Sequence, residues 1–283
     1  MLAIDVGNTN ITTGIFEGGA LLAVRRIPTH TCLHDAAYLS HAPEVLNKLP
    51  DDAVMVSVRR QASDIIIREL VASGGASPLL VDVNTPMGIE VRYGSKDTLG
   101  IDRIVCAAAA YHLYREKARP VVVIDMGTAT TIDYITEQGV FLGGMIAPGI
   151  RSAYEGLLAA APQLPRLEDL AGGELIGDTT AECVRSGVVK GHAAMIGKVV
   201  ERMAGRMKKK PVVVMTGGPA GLVKGELPVF YAAGSENEIR RAAGMARELG
   251  LSLTIVGATE GFRAVDALRS TRRPVVVSVD FPR

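Results

Sequence analysis

Short apolar runs set off by glycine-containing turns dominate the first half of the chain. Met1–Ile4, Ile11–Phe16 and Ala20–Ile27 are predicted as strands of an antiparallel meander. Asp35–Leu49 places Leu39, Val45, Leu46 and Leu49 at helical spacing and is predicted as a helix. Ala53–Ser57 follows as a strand, Ser63–Ser73 as a helix and Pro78–Val83 as a strand. Asp102–Tyr114 is predicted as a long helix entered from Gly100. The pattern then repeats. Val121–Ile124, Thr130–Ile135 and Val140–Ala147 are strands, with turns at Gly127 and Gln138-Gly139. Ser152–Ala160 and Thr180–Met207 are helices, and Pro211–Met215 is a strand running into Thr216-Gly-Gly-Pro219.

An order of three strands, helix, strand and helix thus occurs twice. It resembles the repeating half of the actin/sugar-kinase/Hsp70 (ASKHA) architecture, so the expected fold is α/β with duplicated half-domains. The expected divisions are an N-terminal half at 1–115, a C-terminal half at 116–228 and an atypical β-α-β-α-β tail at 229–283. The strands expected in the tail are Leu227–Ala233, Leu251–Val256 and Arg273–Val279, alternating with helices Ser235–Leu249 and Thr259–Leu268.

Composition narrows the class. With 48% hydrophobic and 22% charged residues, the 283-residue chain is a packed globular protein. A net charge of +1 gives no electrostatic case for nucleic acid or a membrane surface as partner. Apolar stretches such as Val121–Ile124 are far short of a membrane span. Asp5 interrupts the opening residues where a signal peptide carries its apolar core, so cytoplasmic residence is expected. Cys32, Cys106 and Cys183 are too few and too scattered for a disulfide framework, and Cys106 reads as a buried structural thiol. His30, His34 and His41 have no surrounding ligand set, so a structural role is expected over a zinc site.

Two loops carry the most chemistry. Asp5-Val-Gly-Asn-Thr follows Met1-Leu-Ala-Ile, and Asp125-Met-Gly-Thr-Ala-Thr-Thr131 follows Val121–Ile124. Each reads as strand, carboxylate, glycine turn and hydroxyl residues. Glycine lets the backbone turn sharply and approach a phosphate, whose oxygens bond to N–H groups and hydroxyls. The aspartate can hold a cation beside that phosphate, often through water. A repeated loop of this kind suggests a nucleotide clamped between two halves. Each loop alone is equally a plain β-turn. Asp125 follows four apolar residues, and a bound cation would offset its desolvation.

Gly100-Ile-Asp102-Arg103 suits a general base beside an anion clamp. The carboxylate takes the proton of an alcohol, and the guanidinium binds a carboxylate bidentately. The same residues suit an N-cap with a surface ion pair. Tyr93 is placed to line the same pocket. Thr216-Gly-Gly218 resembles the loop that approaches adenosine in such folds, although Gly-Gly turns are common.

Together these residues resemble the type III pantothenate kinase family, a bacterial branch of the ASKHA superfamily. The matching segments are Asp5-Val-Gly-Asn-Thr-Asn10, Tyr93 with Leu99-Gly-Ile-Asp-Arg103, and Asp125-Met-Gly-Thr-Ala-Thr-Thr131. Gly143-Gly-Met-Ile-Ala-Pro-Gly149, Ile176-Gly-Asp-Thr-Thr180, Ser186-Gly187 and Thr216-Gly-Gly218 continue the match, over about residues 1–228. The resemblance implies ATP-dependent phosphorylation of pantothenate to 4′-phosphopantothenate, the first step of coenzyme A biosynthesis. It implies ATP binding by Asp5, Val6, Gly7, Asn8, Thr9, Asn10, Ile11, Thr12 and Thr128. Mg²⁺ would sit at Asp5, directly or through water, and K⁺ or NH₄⁺ at Asp125. Asp102 would be the catalytic base. Tyr93, Gly100, Ile101, Asp102, Arg103 and Thr180 would contact pantothenate. A homodimer with pantothenate near the subunit interface is also implied.

Three departures stand out. Lys96 replaces the proline that the family carries three residues after Tyr93. Asp178-Thr179 replaces a Lys-Asn pair, which puts a negative charge near an anionic substrate and weakens its affinity. The family closes soon after the Thr-Gly-Gly loop, whereas this tail resembles the late strands of an amidohydrolase barrel of the imidazolonepropionase-like kind. Two α/β units cannot close a barrel of eight strands, and no metal ligands accompany them, so the tail is assigned no catalytic role. A divergent family C-terminus that packs normally fits the same periodicity. Two readings compete with a pantothenate kinase: a non-catalytic nucleotide-binding regulator of the same fold, and another small-molecule kinase of the superfamily.

Overall fold

The computed structural model describes residues 1–283 apart from 19, 47, 48, 50, 219, 221–228, 233–252 and 257–283. The chain divides into two compact units, Met1–Ala108 and Ala109–Arg283.

In the first unit, β1 (Leu2–Val6), β2 (Asn10–Glu17) and β3 (Ala20–Pro28) form the expected antiparallel meander. β4 (Ala53–Ser57) runs parallel to β1, and β5 (Leu79–Leu80) follows, giving the order β3-β2-β1-β4-β5. Alternate residues of a strand share a face. Leu2, Ile4 and Val6 therefore point into the core with Ile11, Ile15 and Met55, while Asp5 between them is exposed. A helix that follows β4, Arg60–Ala72, buries Ala62, Ile66 and Leu70, one stripe at helical spacing.

The helix expected at Asp35–Leu49 does not form. Instead α1 (Thr29–Asp35) ends at Ala36, whose φ is 50°, and a 3-10 turn at Leu39–His41 leads to the short α2 (Pro43–Leu46). Two causes are visible. The Tyr38 and Leu39 N–H groups donate to the Glu69 carboxylate at 2.8 and 2.7 Å, and Pro43 has no N–H with which to continue a helix. Leu39 and Val45 are still buried, but by separate turns. The helix Arg60–Ala72 is α3, and it starts earlier than its apolar pattern suggests. The strand expected at Pro78–Val83 shrinks to β5, because the Asp82 carboxylate accepts the Asn84 N–H and the Thr85 hydroxyl in a turn. A short strand, β6 (Glu90–Val91), and α4 (Ile101–Tyr114) follow. Two of the N-terminal histidines bind a carboxylate: His34 Nδ1 and His41 Nε2 each lie 2.8 Å from Asp35. These bonds hold the Asp35 carboxyl below its usual range.

The second unit repeats a four-stranded core of the first. β7 (Val121–Met126), β8 (Ala129–Ile135) and β9 (Val140–Pro148) form a meander, and β10 (Val212–Thr216) runs parallel to β7. The order β10-β7-β8-β9 is that of β4-β1-β2-β3, so the expected duplicated α/β architecture stands. Val121–Ile124 is buried on both faces, which is why its apolar run is continuous rather than alternating. Val122, Ile124, Met126 and Ile132 pack with Ile150, Tyr154 and Leu158 of α5 (Ile150–Ala160) and with Val184, Val189 and Ile196 of α6 (Thr180–Ala204). Thr179 caps α6, its hydroxyl accepting the Glu182 N–H at 3.2 Å.

In the tail, β11 (Val229–Ala232) and β12 (Leu253–Val256) pair in parallel, within two of the strands expected there. The expected helices Ser235–Leu249 and Thr259–Leu268 and the strand Arg273–Val279 lie outside the described residues. Cys106 is half-buried rather than buried, and no disulfide joins the three cysteines. Among the described residues, no helix is long and apolar enough to cross a membrane.

Candidate functional site

Asp5 is the last-but-one residue of β1, opposite Thr12 on β2 and Val56 on β4. The Gly7 N–H donates to the Asn10 carbonyl at 2.9 Å and closes the turn. Asp5, Asn8 and Thr9 are exposed. Val6 and Ile11 are fully buried, so their side chains belong to the core and only their backbone is available to a ligand. Gly7 does not take the left-handed backbone. A Cβ there would lie 3.0 Å from the Asn10 carbonyl, so glycine serves closeness rather than handedness.

Thr29 belongs to none of the motifs along the chain, yet its side chain holds this loop. Thr29 opens α1 and is 1% exposed. Its N–H donates to the Thr9 carbonyl and its hydroxyl to the Gly7 carbonyl, both at 2.8 Å. The one signal in the sequence is Pro28-Thr29 directly after a strand, and that pair alone names no partner.

Asp125 holds the matching position on β7, opposite Thr131 on β8 and Thr216 on β10. This register brings the Thr216-Gly-Gly loop beside Asp125. Asp125 is half-buried, and Gly127 and Thr128 are exposed. The Thr128 carbonyl accepts the Gly149 N–H at 2.9 Å and the Ser152 hydroxyl at 2.6 Å. Gly149 precedes α5, and a Cβ on it would run into the Gly127 and Thr128 carbonyls. Gly217, at φ 100°, rests on the Met126 backbone. Gly127 itself has room for a Cβ, the nearest atom lying 3.7 Å away. The glycines that this turn requires are therefore its neighbours.

The first unit brings Tyr93, Gly100, Asp102 and Arg103 together. Ile101, 9% exposed, begins α4. A half-buried carboxylate follows it: Asp102 Oδ1 accepts the Arg103 N–H at 2.9 Å. Arg103 is only 7% exposed, and its guanidinium carbon lies 5.8 Å from the centre of the Tyr93 ring, a cation–π contact. Arg103 is thus buried rather than at the surface. A Cβ on Gly100 would collide with Asp102 Oδ1, so glycine leaves room for the carboxylate. Lys96 is exposed in a 3-10 turn upstream.

Thr180, in the second unit, is the exposed first residue of α6. It lines a cavity of about 570 Å³ with Ala153, Leu157, Cys183, Gly187 and His192. Asp178 and Thr179 build the turn into α6, where acidic groups meet the positive end of the helix. His192 is 8% exposed, with Nε2 2.9 Å from the Thr130 hydroxyl, and burial pushes its pKa down.

The donor set bears on which ions fit. No group of three His, Cys, Asp or Glu side chains among the described residues is arranged to hold a metal. Asp5 is a single exposed carboxylate beside a backbone turn. That suits Mg²⁺, which takes one or two protein carboxylates and completes its shell with phosphate oxygens and water. Asp125 has hydroxyl residues, Thr131 and Thr216, at both paired positions.

A family model for type III pantothenate kinase matches residues 1–202. The type III pantothenate kinase of Moorella thermoacetica is 36% identical over 233 residues, covering 80% of this chain and 91% of that protein. The enzyme of the same name from Dehalococcoides mccartyi is 34% identical over 233 residues, covering 79% and 88%. Among solved structures, the ethanolamine utilization protein EutJ from Carboxydothermus hydrogenoformans is 17% identical with a TM-score of 0.47, covering 90% of this chain and 83% of that one. That last likeness is too weak to decide anything. The match of family and relatives is not, and the chain belongs to the type III pantothenate kinase family.

Proposed function

We infer that this protein transfers the γ-phosphoryl group of ATP to the primary alcohol of pantothenate, giving 4′-phosphopantothenate and ADP. The observation that carries this reading is the half-buried Asp102 carboxylate beside the buried, Tyr93-stacked Arg103, in a chain of this family. Phosphoryl transfer asks a protein mainly for position and charge. Asp102 accepts the alcohol proton as its oxygen bonds to the γ-phosphorus and the bond to the β-phosphate oxygen breaks. The Arg103 N–H bond fixes the orientation of that carboxylate. The Arg103 guanidinium holds the pantothenate carboxylate, and Tyr93 limits its approach. Asp5 to Thr12 receive ATP phosphate, and Thr128 adds a contact to ATP. Mg²⁺ at Asp5 supplies charge neutralisation when bound. Asp125 holds K⁺ or NH₄⁺. Thr180 contacts pantothenate in a homodimer, in the cytoplasm.

The test is ATP-dependent phosphorylation of pantothenate by the purified full chain with Mg²⁺, in the presence and absence of K⁺. K⁺-dependent 4′-phosphopantothenate supports both the reaction and the cation. Product without K⁺ dependence removes the role of Asp125. Nucleotide binding by folded protein without product turns the reading toward a regulator, and a better alcohol in a substrate panel turns it toward another kinase.

A further inference from the structure

We propose that Thr29 is a positioning residue that sets the polarity of the nucleotide loop Asp5–Thr12. The proposal rests on the reading of that loop as the one that receives ATP phosphate. Thr29 lies in the core at 1% exposure, where an unmatched hydroxyl is costly, and both its donors go to this loop. The peptides here are trans and planar, so the C=O and N–H of each unit point to opposite sides. Thr29 draws the Gly7 carbonyl inward and thereby directs the Asn8 N–H away from the core. It draws the Thr9 carbonyl inward and directs the Asn10 N–H away in the same manner. Backbone N–H groups turned outward in succession form an anion-binding concavity.

Two neighbouring groups are held by backbone bonds. The Val6 carbonyl accepts the Val58 N–H at 3.0 Å, and the Gly7 N–H donates to Asn10 at 2.9 Å. The Gly7–Asn8 peptide differs, since its carbonyl is held by the Thr29 side chain. Glycine at position 7 makes rotation of that peptide easy. Loss of the hydroxyl lets the unit turn over, which presents a carbonyl where the phosphate needs a donor.

Thr29→Val keeps the shape and removes the hydroxyl, while Thr29→Ser keeps the hydroxyl and removes the methyl. The expected result is a rise of about tenfold in the KM for ATP in Thr29→Val, with the KM for pantothenate unchanged. Thr29→Ser should stay within about twofold of the native chain for both substrates. A packing role gives the opposite order, with Ser the worse variant, and overturns the proposal; so does a native ATP KM in Thr29→Val. Should Thr29→Val not fold, Thr29→Cys offers a weaker donor to set beside Thr29→Ser, both lacking the methyl. A smaller rise in ATP KM then supports the role, and native behaviour rejects it. Calorimetric ATP binding separates this idea from the reading beneath it. A native chain that binds ATP without phosphorylating pantothenate still reports the Thr29→Val loss. A native chain that binds no ATP overturns both.

Discussion

The two aspartate loops sit at the same point of the same topology, yet different devices hold them. Asp5 and Asp125 each occupy the last-but-one residue of a central strand, each opposite a threonine of the next strand. In the first unit a buried threonine side chain braces the turn, and the turn glycine is itself tight against Asn10. In the second unit the brace comes from the start of α5, through Gly149 and Ser152, and from Gly217. Strand register therefore places the carboxylate, while the scaffold beneath each loop is a separate solution. The first unit also carries the cluster of Asp102, Arg103 and Tyr93.

The largest expected effect tests whether Asp102 is chemistry or scaffold. Asp102→Asn should lower kcat by about 10²–10⁴-fold, the usual worth of a general base, with melting temperature and ATP affinity unchanged. Asparagine retains the acceptor for the Arg103 N–H, so the local fold survives. A drop in ATP binding equal to the drop in turnover would instead make this residue part of the scaffold.

Next in size is the contrast among glycines in the second unit. Gly217→Ala places a Cβ on a residue at φ 100° and against the Met126 backbone. It should cost about 1–3 kcal/mol, read as a lower urea midpoint. Gly149→Ala should also destabilise, because its Cβ meets two carbonyls. Gly127→Ala, in the turn itself, should cost less than about 1 kcal/mol. If Gly127→Ala is as costly as Gly217→Ala, the second loop depends on its own glycine and the contrast with its neighbours collapses.

These glycines also mark what can be read from the chain before its structure. The strands of the two meanders came through well, because burial writes itself as alternation in β1 and as a continuous run in β7. The two aspartates, Gly100 and the Asp102-Arg103 pair were legible because strand ends and helix starts concentrate polar chemistry. The helix expected at Asp35–Leu49 failed for a reason that no local pattern contains: Glu69, far along the chain, captures the Tyr38 and Leu39 amides. Thr29 and Gly149 were invisible as loop supports for the same reason, since their partners are remote in sequence. Gly127 was read as the residue that the turn needs, and only the built backbone moves that need to Gly149 and Gly217.

The smallest effect separates the units by pH. Burial lowers the pKa of His192 below the ordinary 6.5, whereas the Asp35 carboxyl of the first unit is held below 3.8 by its two histidines. Below pH 6.5 the unfolded chain takes up a proton that the folded His192 refuses. Its contribution is therefore complete above 6.5 and is lost as pH falls toward the folded pKa, at no more than about 1.4 kcal/mol per pH unit. Asp35 acts in the same direction but only in acid, below its ordinary 3.8. Between about pH 5 and 6.5 only the His192 linkage is active. His192→Gln removes it and still offers a group for the Thr130 hydroxyl. Thermal melts of the native chain and of His192→Gln at pH 7 and near pH 5 should then show the native chain losing more stability across that interval. Parallel loss in both would mean that His192 is protonated in the folded protein as readily as in the unfolded one, and the acid sensitivity of the second unit would have to arise elsewhere.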